Sequence, residues 1–224
     1  MCGRYEVHSA VELIASIFGI SPEDVVIDFK PNYNVAPTNE VPVVIITDGK
    51  RRLMQCRWGF IPAWAKEEKI GFSMINARAE TIAEKPAFRD AFKKQRCVII
   101  ADGFYEWKTV GKAKRPVYLH LKSGKPMAFA GLYSIWTSPE GKTINTCTVI
   151  VTNANELLEP VHDRMPVILN EDDQDKWLDP TTQETSSLLS LLKPYPSEAL
   201  EMFDVSPKVN SVKNNSPELI EAIK

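Results

Sequence analysis

Six apolar, strand-like runs occupy residues 41–47, 51–60, 97–108, 116–122, 126–136 and 143–153, and most of the gaps between them are only a few residues long. Asp48-Gly49, Ser123-Gly124 and Glu140-Gly141 sit in those gaps as turn dipeptides. A parallel crossover needs a dozen or more residues, so linkers this short favour antiparallel neighbours over βαβ units. Helical spacing is confined to the flanks. Ser9-Ala10-Val11-Glu12 has the capping-box pattern ahead of Val11, Ile14, Ile17 and Phe18, and Gly19 is placed to stop that helix. Ser21-Pro22 can open a second short helix; residues 86–94, 171–178 and 186–192 read as helices, and 199–205 returns to strand. The expected fold is α+β: one domain over residues 1–224, with a curved, barrel-like, mainly antiparallel sheet flanked by helices. About a dozen C-terminal residues, rich in Asn, Ser and Lys, are expected as a loosely ordered tail.

Composition narrows the function classes. With 44% hydrophobic and 25% charged residues in 224 positions, the chain is an ordinary globular sequence. It has neither an apolar run of membrane-spanning length nor a signal-peptide pattern, so a cytoplasmic location is expected. Cys2, Cys56, Cys97 and Cys147 form no Cys-x-x-Cys pair, which disfavours zinc, and a cytosolic setting disfavours disulfides. Cys97 and Cys147 lie in apolar runs and read as core thiols. No metal or cofactor is expected, and nothing demands more than a monomer. The net charge of −2 argues against duplex binding by bulk charge. Cations nonetheless cluster as Lys50, Arg51 and Arg52; as Lys93, Lys94 and Arg96; and as Lys108, Lys112, Lys114 and Arg115. Each cluster alone reads as a solvated surface.

The chain starts Met1-Cys2-Gly3-Arg4. A small residue at position 2 permits removal of the initiator Met, which leaves Cys2 carrying a thiol and an α-amine on one carbon. Their reference pKa values are about 8.5 and about 7.7–8.0, so both have a usable nucleophilic fraction near neutrality. Such an aminothiol captures an aldehyde in two steps: the amine forms a Schiff base, and the thiol then closes a thiazolidine. On the dipeptide alone, an incidental residue in a poorly ordered terminus is the favoured reading.

Glu106 ends an apolar run and, by period-2 alternation, shares a face with Val98, Ile100 and Phe104. Desolvation there would raise its pKa toward general acid–base use; a salt-bridged strand end is the even alternative. His162 lies in a polar insert before Val167-Ile168-Leu169, as a proton shuttle or a surface-loop residue. Asn76 could orient an amine or polarise a carbonyl, and Arg78 could hold a phosphate; the plainer readings are a turn residue and an ion pair with Glu80. Of the two tryptophans in Trp58-Gly59-Phe60-Ile61-Pro62-Ala63-Trp64, Trp58 reads as core and Trp64 as a surface ring able to stack on an unpaired base.

Taken in order, several segments together resemble the SOS response-associated peptidase (SRAP) family, the abasic-site processing proteins. They are Met1-Cys2-Gly3-Arg4-Tyr5, Tyr33-Asn34-Val35-Ala36-Pro37-Thr38, Trp58-Gly59-Phe60-Ile61-Pro62, Asn76-Ala77-Arg78-Ala79-Glu80-Thr81, Asp102-Gly103-Phe104-Tyr105-Glu106-Trp107, His162-Asp163-Arg164-Met165-Pro166 and Val205-Ser206-Pro207-Lys208-Val209-Asn210. The resemblance implies recognition of abasic sites in single-stranded DNA and a thiazolidine crosslink through Cys2. It further implies that Asn76 holds the Cys2 amine or the sugar, that Glu106 is the general acid–base and that His162 assists ring opening. Arg4 and Arg78 would hold flanking phosphates, and Trp64 falls in the family's variable wedge region. The peptidase name implies removal of the residue before Cys2, by the protein itself or by a separate aminopeptidase. Two other classes compete: a thiol peptidase or amidohydrolase with an N-terminal Cys nucleophile, and a non-covalent module that reads modified bases.

Overall fold

The computed structural model describes residues 2–27 and 29–223; Met1, Asp28 and Lys224 lie outside the described residues, and with Met1 the question of its removal. In chain order the first half forms β1 (Tyr5–Val7), α1 (Val11–Ile17), β2 (Asn32–Val35), β3 (Glu40–Thr47), β4 (Lys50–Trp58), β5 (Asn76–Arg78), α2 (Arg89–Lys94) and β6 (Arg96–Ala101). The second half forms β7 (Gly103–Val110), β8 (Ala113–Leu121), β9 (Met127–Thr137), β10 (Thr143–Asn153), β11 (Arg164–Pro166), β12 (Ile168–Leu169), α3 (Glu171–Leu178), α4 (Thr185–Ser190) and β13 (Leu200–Asp204). No helix among the described residues is long and apolar enough to cross a membrane.

Asp48 and Gly49 take positive φ angles of 54° and 73°. Two consecutive left-handed residues make the tight turn whose twist suits a hairpin, and β3 and β4 pair antiparallel from Glu40 opposite Arg57 to Thr47 opposite Lys50. From there β3 pairs with β6, β6 with β9 and β9 with β10, all antiparallel. The ring closes where β10 meets β4 in parallel, Thr146 opposite Arg57 and Cys147 opposite Trp58. The result is a closed five-stranded barrel with one parallel seam. Every residue of β6 is buried, as a strand covered on both faces requires. Tyr5, Trp58 and Phe129 fill the interior, with ring centroids 5.0 Å and 5.9 Å from Tyr5. Cys56, Cys97 and Cys147 are buried thiols in the same core.

A second sheet, ordered β13-β8-β7-β1-β2, packs beside the barrel. It corrects three readings. Residues 97–108 are two strands, not one: the chain turns a corner at Asp102 and passes from barrel to second sheet. Glu106 therefore keeps Phe104 on its face but leaves Val98 and Ile100 behind in the other sheet. Asp102 makes the corner because its buried carboxylate takes the backbone N–H groups of His8 (2.6 Å) and Ser9 (2.7 Å) and the Ser9 hydroxyl (2.5 Å). Ser9 is thereby withdrawn from α1, whose N-cap is Ala10 without a side-chain bond, so the capping box does not form. The C-terminal stretch is not a loose tail either: Pro217–Ile220 is a 3-10 turn, Leu219 is buried, and the Asn214 carbonyl accepts from Asn34 Nδ2 at 2.8 Å.

Candidate functional site

The site is built on β1, which lies between β2 and β7 with Tyr5 opposite both Val35 and Phe104. The Arg4 carbonyl continues that ladder, accepting from the Tyr105 N–H at 3.0 Å. Its guanidinium is half-buried: Nη1 donates to Asn34 Oδ1 at 2.6 Å and to the Val209 carbonyl at 2.8 Å, and the group sits 5.8 Å from the Trp107 ring centroid. Trp107 Nε1 in turn donates to Asn210 Oδ1 at 2.7 Å. The segments around Asn34 and Val209, which carry no evident chemistry as sequence, thus form a cage that orders the N-terminal strand. Arg4 is a scaffold residue first; Nη1 is committed to this cage.

Glu6 anchors the other end of β1. Its side chain is fully buried, with Oε1 accepting from the Tyr118 hydroxyl at 2.6 Å and Oε2 at 2.8 Å from His8 Nδ1. Burial, above all, raises the Glu6 carboxyl, and its hydrogen bond raises His8. Gly103 makes room: a Cβ there would stand 2.3 Å from the Tyr118 ring. Glu6, His8 and Asp102 bring ligand-type atoms within 4.8 Å of one another, but Tyr118, Ser9 and backbone N–H groups already occupy their oxygens. The cluster is a hydrogen-bonded anchor.

Between these anchors, Cys2 is fully buried rather than part of a disordered terminus. Its carbonyl accepts from Asn76 Nδ2 at 2.8 Å. Burial pushes its thiol well above the ordinary range, and the charge of Glu106 adds to the shift; the Arg4 backbone N–H opposes it. In such surroundings a nearby base would help the thiol ionise. Glu106 is 4% exposed, and burial pushes its carboxyl up to about 7, with Asp163 adding and Lys114 opposing. A carboxyl poised there can give or take a proton at neutral pH.

β10 brings the remaining pieces in. Val149 to Val151 pair in parallel with Asn76 to Arg78, while Val151 to Asn153 pair antiparallel with Pro166 to Arg164. The Asn76 and His162 segments are thus neighbours across one strand, and Arg164 pairs with Glu80 to tie them together. His162 is partly buried, and burial lowers its pKa, so the ring is neutral near pH 7. Its Nδ1 lies 3.0 Å from both the Arg164 N–H and the Asp163 carboxylate, which ties the ring's orientation to its own loop. Lys114 acts electrostatically on both His162 and Glu106.

Two expected contacts fall outside this cluster. Glu80 is taken by Arg164, so Arg78 is left exposed, with no ion pair or side-chain hydrogen bond among the described residues. Trp64 is 61% exposed in the loop after β4, beside Lys66 and Ile70, whereas Trp58 is fully buried. Arg164, Glu80 and Lys114 are the site neighbours that sequence reasoning did not single out for this role. The motifs around His162 and Asn76 carried a signal, since they contain Arg164 and Glu80, whereas Lys114 stood only in a cationic cluster.

The chain matches the family described as SOS response associated peptidase (SRAP) over residues 1–212. It is 49% identical to the abasic site processing protein YoqW of Bacillus subtilis (strain 168), covering 99% of this chain and 100% of that protein. It is 32% identical to the abasic site processing protein HMCES of Gallus gallus, covering 87% of this chain and 67% of that one. A crystal structure of a Bacteroides thetaiotaomicron protein superposes with a TM-score of 0.91 at 28% identity, covering 100% of both chains. With this fold and this N-terminal site, the chain belongs to the SOS response associated peptidase (SRAP) family.

Proposed function

We propose that this protein handles abasic sites in single-stranded DNA, capturing the ring-opened sugar aldehyde covalently through Cys2 once it is the N-terminal residue. The observation that carries the reading is a fully buried Cys2 whose carbonyl is held by Asn76 Nδ2 at 2.8 Å, with the buried carboxyl of Glu106 electrostatically felt at its thiol. The names of the relatives supply the lesion. The Cys2 amine adds to the aldehyde carbon, and the carbinolamine loses water to give a Schiff base. The thiol then adds to the imine carbon, its proton ending on nitrogen, so aminothiol and aldehyde become thiazolidine and water. Glu106 serves as the acid that releases water and the base that accepts the thiol proton. His162, whose pKa burial lowers, assists sugar ring opening by moving a proton at its ring. Arg78 and Arg4 steady flanking phosphates, and Trp64 stacks on an unpaired base. The same Glu106 and His162 pair suits hydrolysis of the bond preceding Cys2, the self-processing implied by the family's peptidase name.

The test is a denaturing gel with a single-stranded oligonucleotide carrying one abasic site, an intact-base strand and a Cys2→Ala variant, after mass spectrometry of the protein N-terminus. A slow band only with wild type and the abasic strand is expected. Undiminished crosslinking by Cys2→Ala overturns the reading. Absence of the band with protein that starts at Cys2 turns attention to the peptidase alternative and a peptide panel.

A further inference from the structure

The three cationic clusters fare differently once folded. In the first, Arg51 pairs with Asp175 and Arg52 with Asp24 and Asp48. In the second, Arg96 is buried and donates to the carbonyls of Trp177, Phe92, Lys93, Asp179 and Thr182, so it is a structural hub rather than a solvated cation. The third, Lys108, Lys112, Lys114 and Arg115, lies on the β7–β8 hairpin. Residues 108–115 are all exposed and contain no acid, and none of the four cations makes an ion pair or side-chain hydrogen bond among the described residues.

The register sharpens the anomaly. Lys108 stands directly opposite Arg115, and like charges directly opposite across a strand pair destabilise it. The β13 ladder with β8 ends at Val117, with one further bond from the Val205 N–H to the Pro116 carbonyl, so the exposed residues 108–115 lie beyond it and no neighbouring strand supplies them a counter-charge among the described residues. At its root the same hairpin carries Glu106 and Trp107, the latter against Arg4, and Lys114 is electrostatically felt at Glu106 and His162. A projecting, unneutralised cationic arm rooted in the site fits a polyanion that runs through the site.

We infer that the β7–β8 hairpin is a phosphate-binding arm for the single-stranded nucleic acid leaving the Cys2 site, with Lys108, Lys112 and Arg115 as its cationic side chains. This rests on the function proposed above. It also explains how a chain of net charge −2 would hold DNA before the covalent step, because the positive charge is local.

The experiment compares wild type, a Lys108→Gln/Lys112→Gln/Arg115→Gln variant and a Lys93→Gln/Lys94→Gln control. Lys114 is left in place because its charge acts on Glu106 and His162. Non-covalent binding of a lesion-free single strand is followed by fluorescence anisotropy between about 50 and 200 mM salt. The hairpin variant should bind more weakly at low salt, and its log K against log salt slope should be shallower by about 0.7 for each phosphate it no longer neutralises. Its melting temperature should hold or rise, since the Lys108–Arg115 repulsion is relieved. An unchanged affinity and slope overturns the inference, as does equal weakening by the control. Loss of binding to anionic lipid vesicles with unchanged oligonucleotide affinity overturns it in favour of a membrane surface. If wild type binds the strand but never crosslinks an abasic one, the parent reading fails independently of the hairpin.

Discussion

Asn76 Nδ2 donates to the Cys2 carbonyl oxygen across 2.8 Å, joining residues 74 positions apart in the chain. Both ends are rigidly mounted, Asn76 on β5 against β10 and Cys2 on the lead into β1. The other face of the amide, Oδ1, is buried with no hydrogen-bond partner among the described residues, so it can accept from a reactant entering the site. Asn76→Ala should slow crosslinking by about 10²-fold, as for loss of one positioned polar group, while costing only about 1 kcal/mol of stability. Gel time courses and thermal melts separate the two. A wild-type rate in a folded variant would remove Asn76 from the chemistry.

Glu106 makes a prediction in pH. Burial raises its folded-state pKa from 4.5 to about 7. The stability it lends is therefore full below about pH 4.5 and is lost as pH rises through about 7. Glu106→Gln should be more stable than wild type at pH 8, by on the order of 3 kcal/mol at most, with the advantage shrinking toward pH 5. The same variant should lose about 10²–10⁴-fold in crosslinking rate and the inflection near pH 7. Melts and rates across pH 5–9 check both. A pH profile of melting identical to wild type would mean that Glu106 does not titrate there.

The β1 anchor titrates in the same sense. His8 is raised by its hydrogen bond to Glu6, and Glu6 is raised by burial. Each group holds its proton more tightly folded than unfolded, so each lends stability at low pH that is lost as pH rises through its folded value. His8→Gln should flatten the fall in stability above about pH 6.5. The His8 side chain is 38% exposed, and solvent screening keeps the effect below about 1 kcal/mol. Denaturant midpoints at pH 6 and 8 would show it; an unaltered difference between them would count against the pairing.

Two tryptophans six residues apart should behave oppositely. Trp58 is fully buried against Tyr5, and its Nε1 donates to the Ile75 carbonyl at 2.8 Å; Trp58→Ala should cost about 3–5 kcal/mol. Trp64 is 61% exposed, and Trp64→Ala should change stability by less than about 0.5 kcal/mol. If the ring stacks on a base, single-strand binding should weaken by about 1–3 kcal/mol. Melting and anisotropy on the same two variants decide it. Unchanged affinity for Trp64→Ala would place the ring off the DNA path.

What is legible in the sequence is what depends on near neighbours in the chain. Asp48-Gly49 encodes a left-handed turn by itself, and short linkers between strands impose antiparallel pairing, so a barrel-like sheet could be expected. Apolar runs marked Cys97 and Cys147 as core, and Trp64 after Pro62 as surface. Residue chemistry nominated Cys2, Asn76, Glu106 and His162. What the tertiary structure alone decided rests on partners distant in sequence. Period-2 alternation cannot reveal that residues 97–108 change sheets at Asp102, because the corner is made by Ser9 and His8 from the other end of the chain. It cannot reveal the parallel seams of β10 with β4 and β5, which bring Asn76 beside the His162 segment. Nor can it tell Arg96, satisfied by five carbonyls, from Lys108 and Arg115, which face each other without a counter-ion among the described residues. Cys2 is the clearest case: the sequence shows a thiol placed to become an aminothiol, but the burial that pushes that thiol up, with Glu106 adding, exists only once the chain has folded around it.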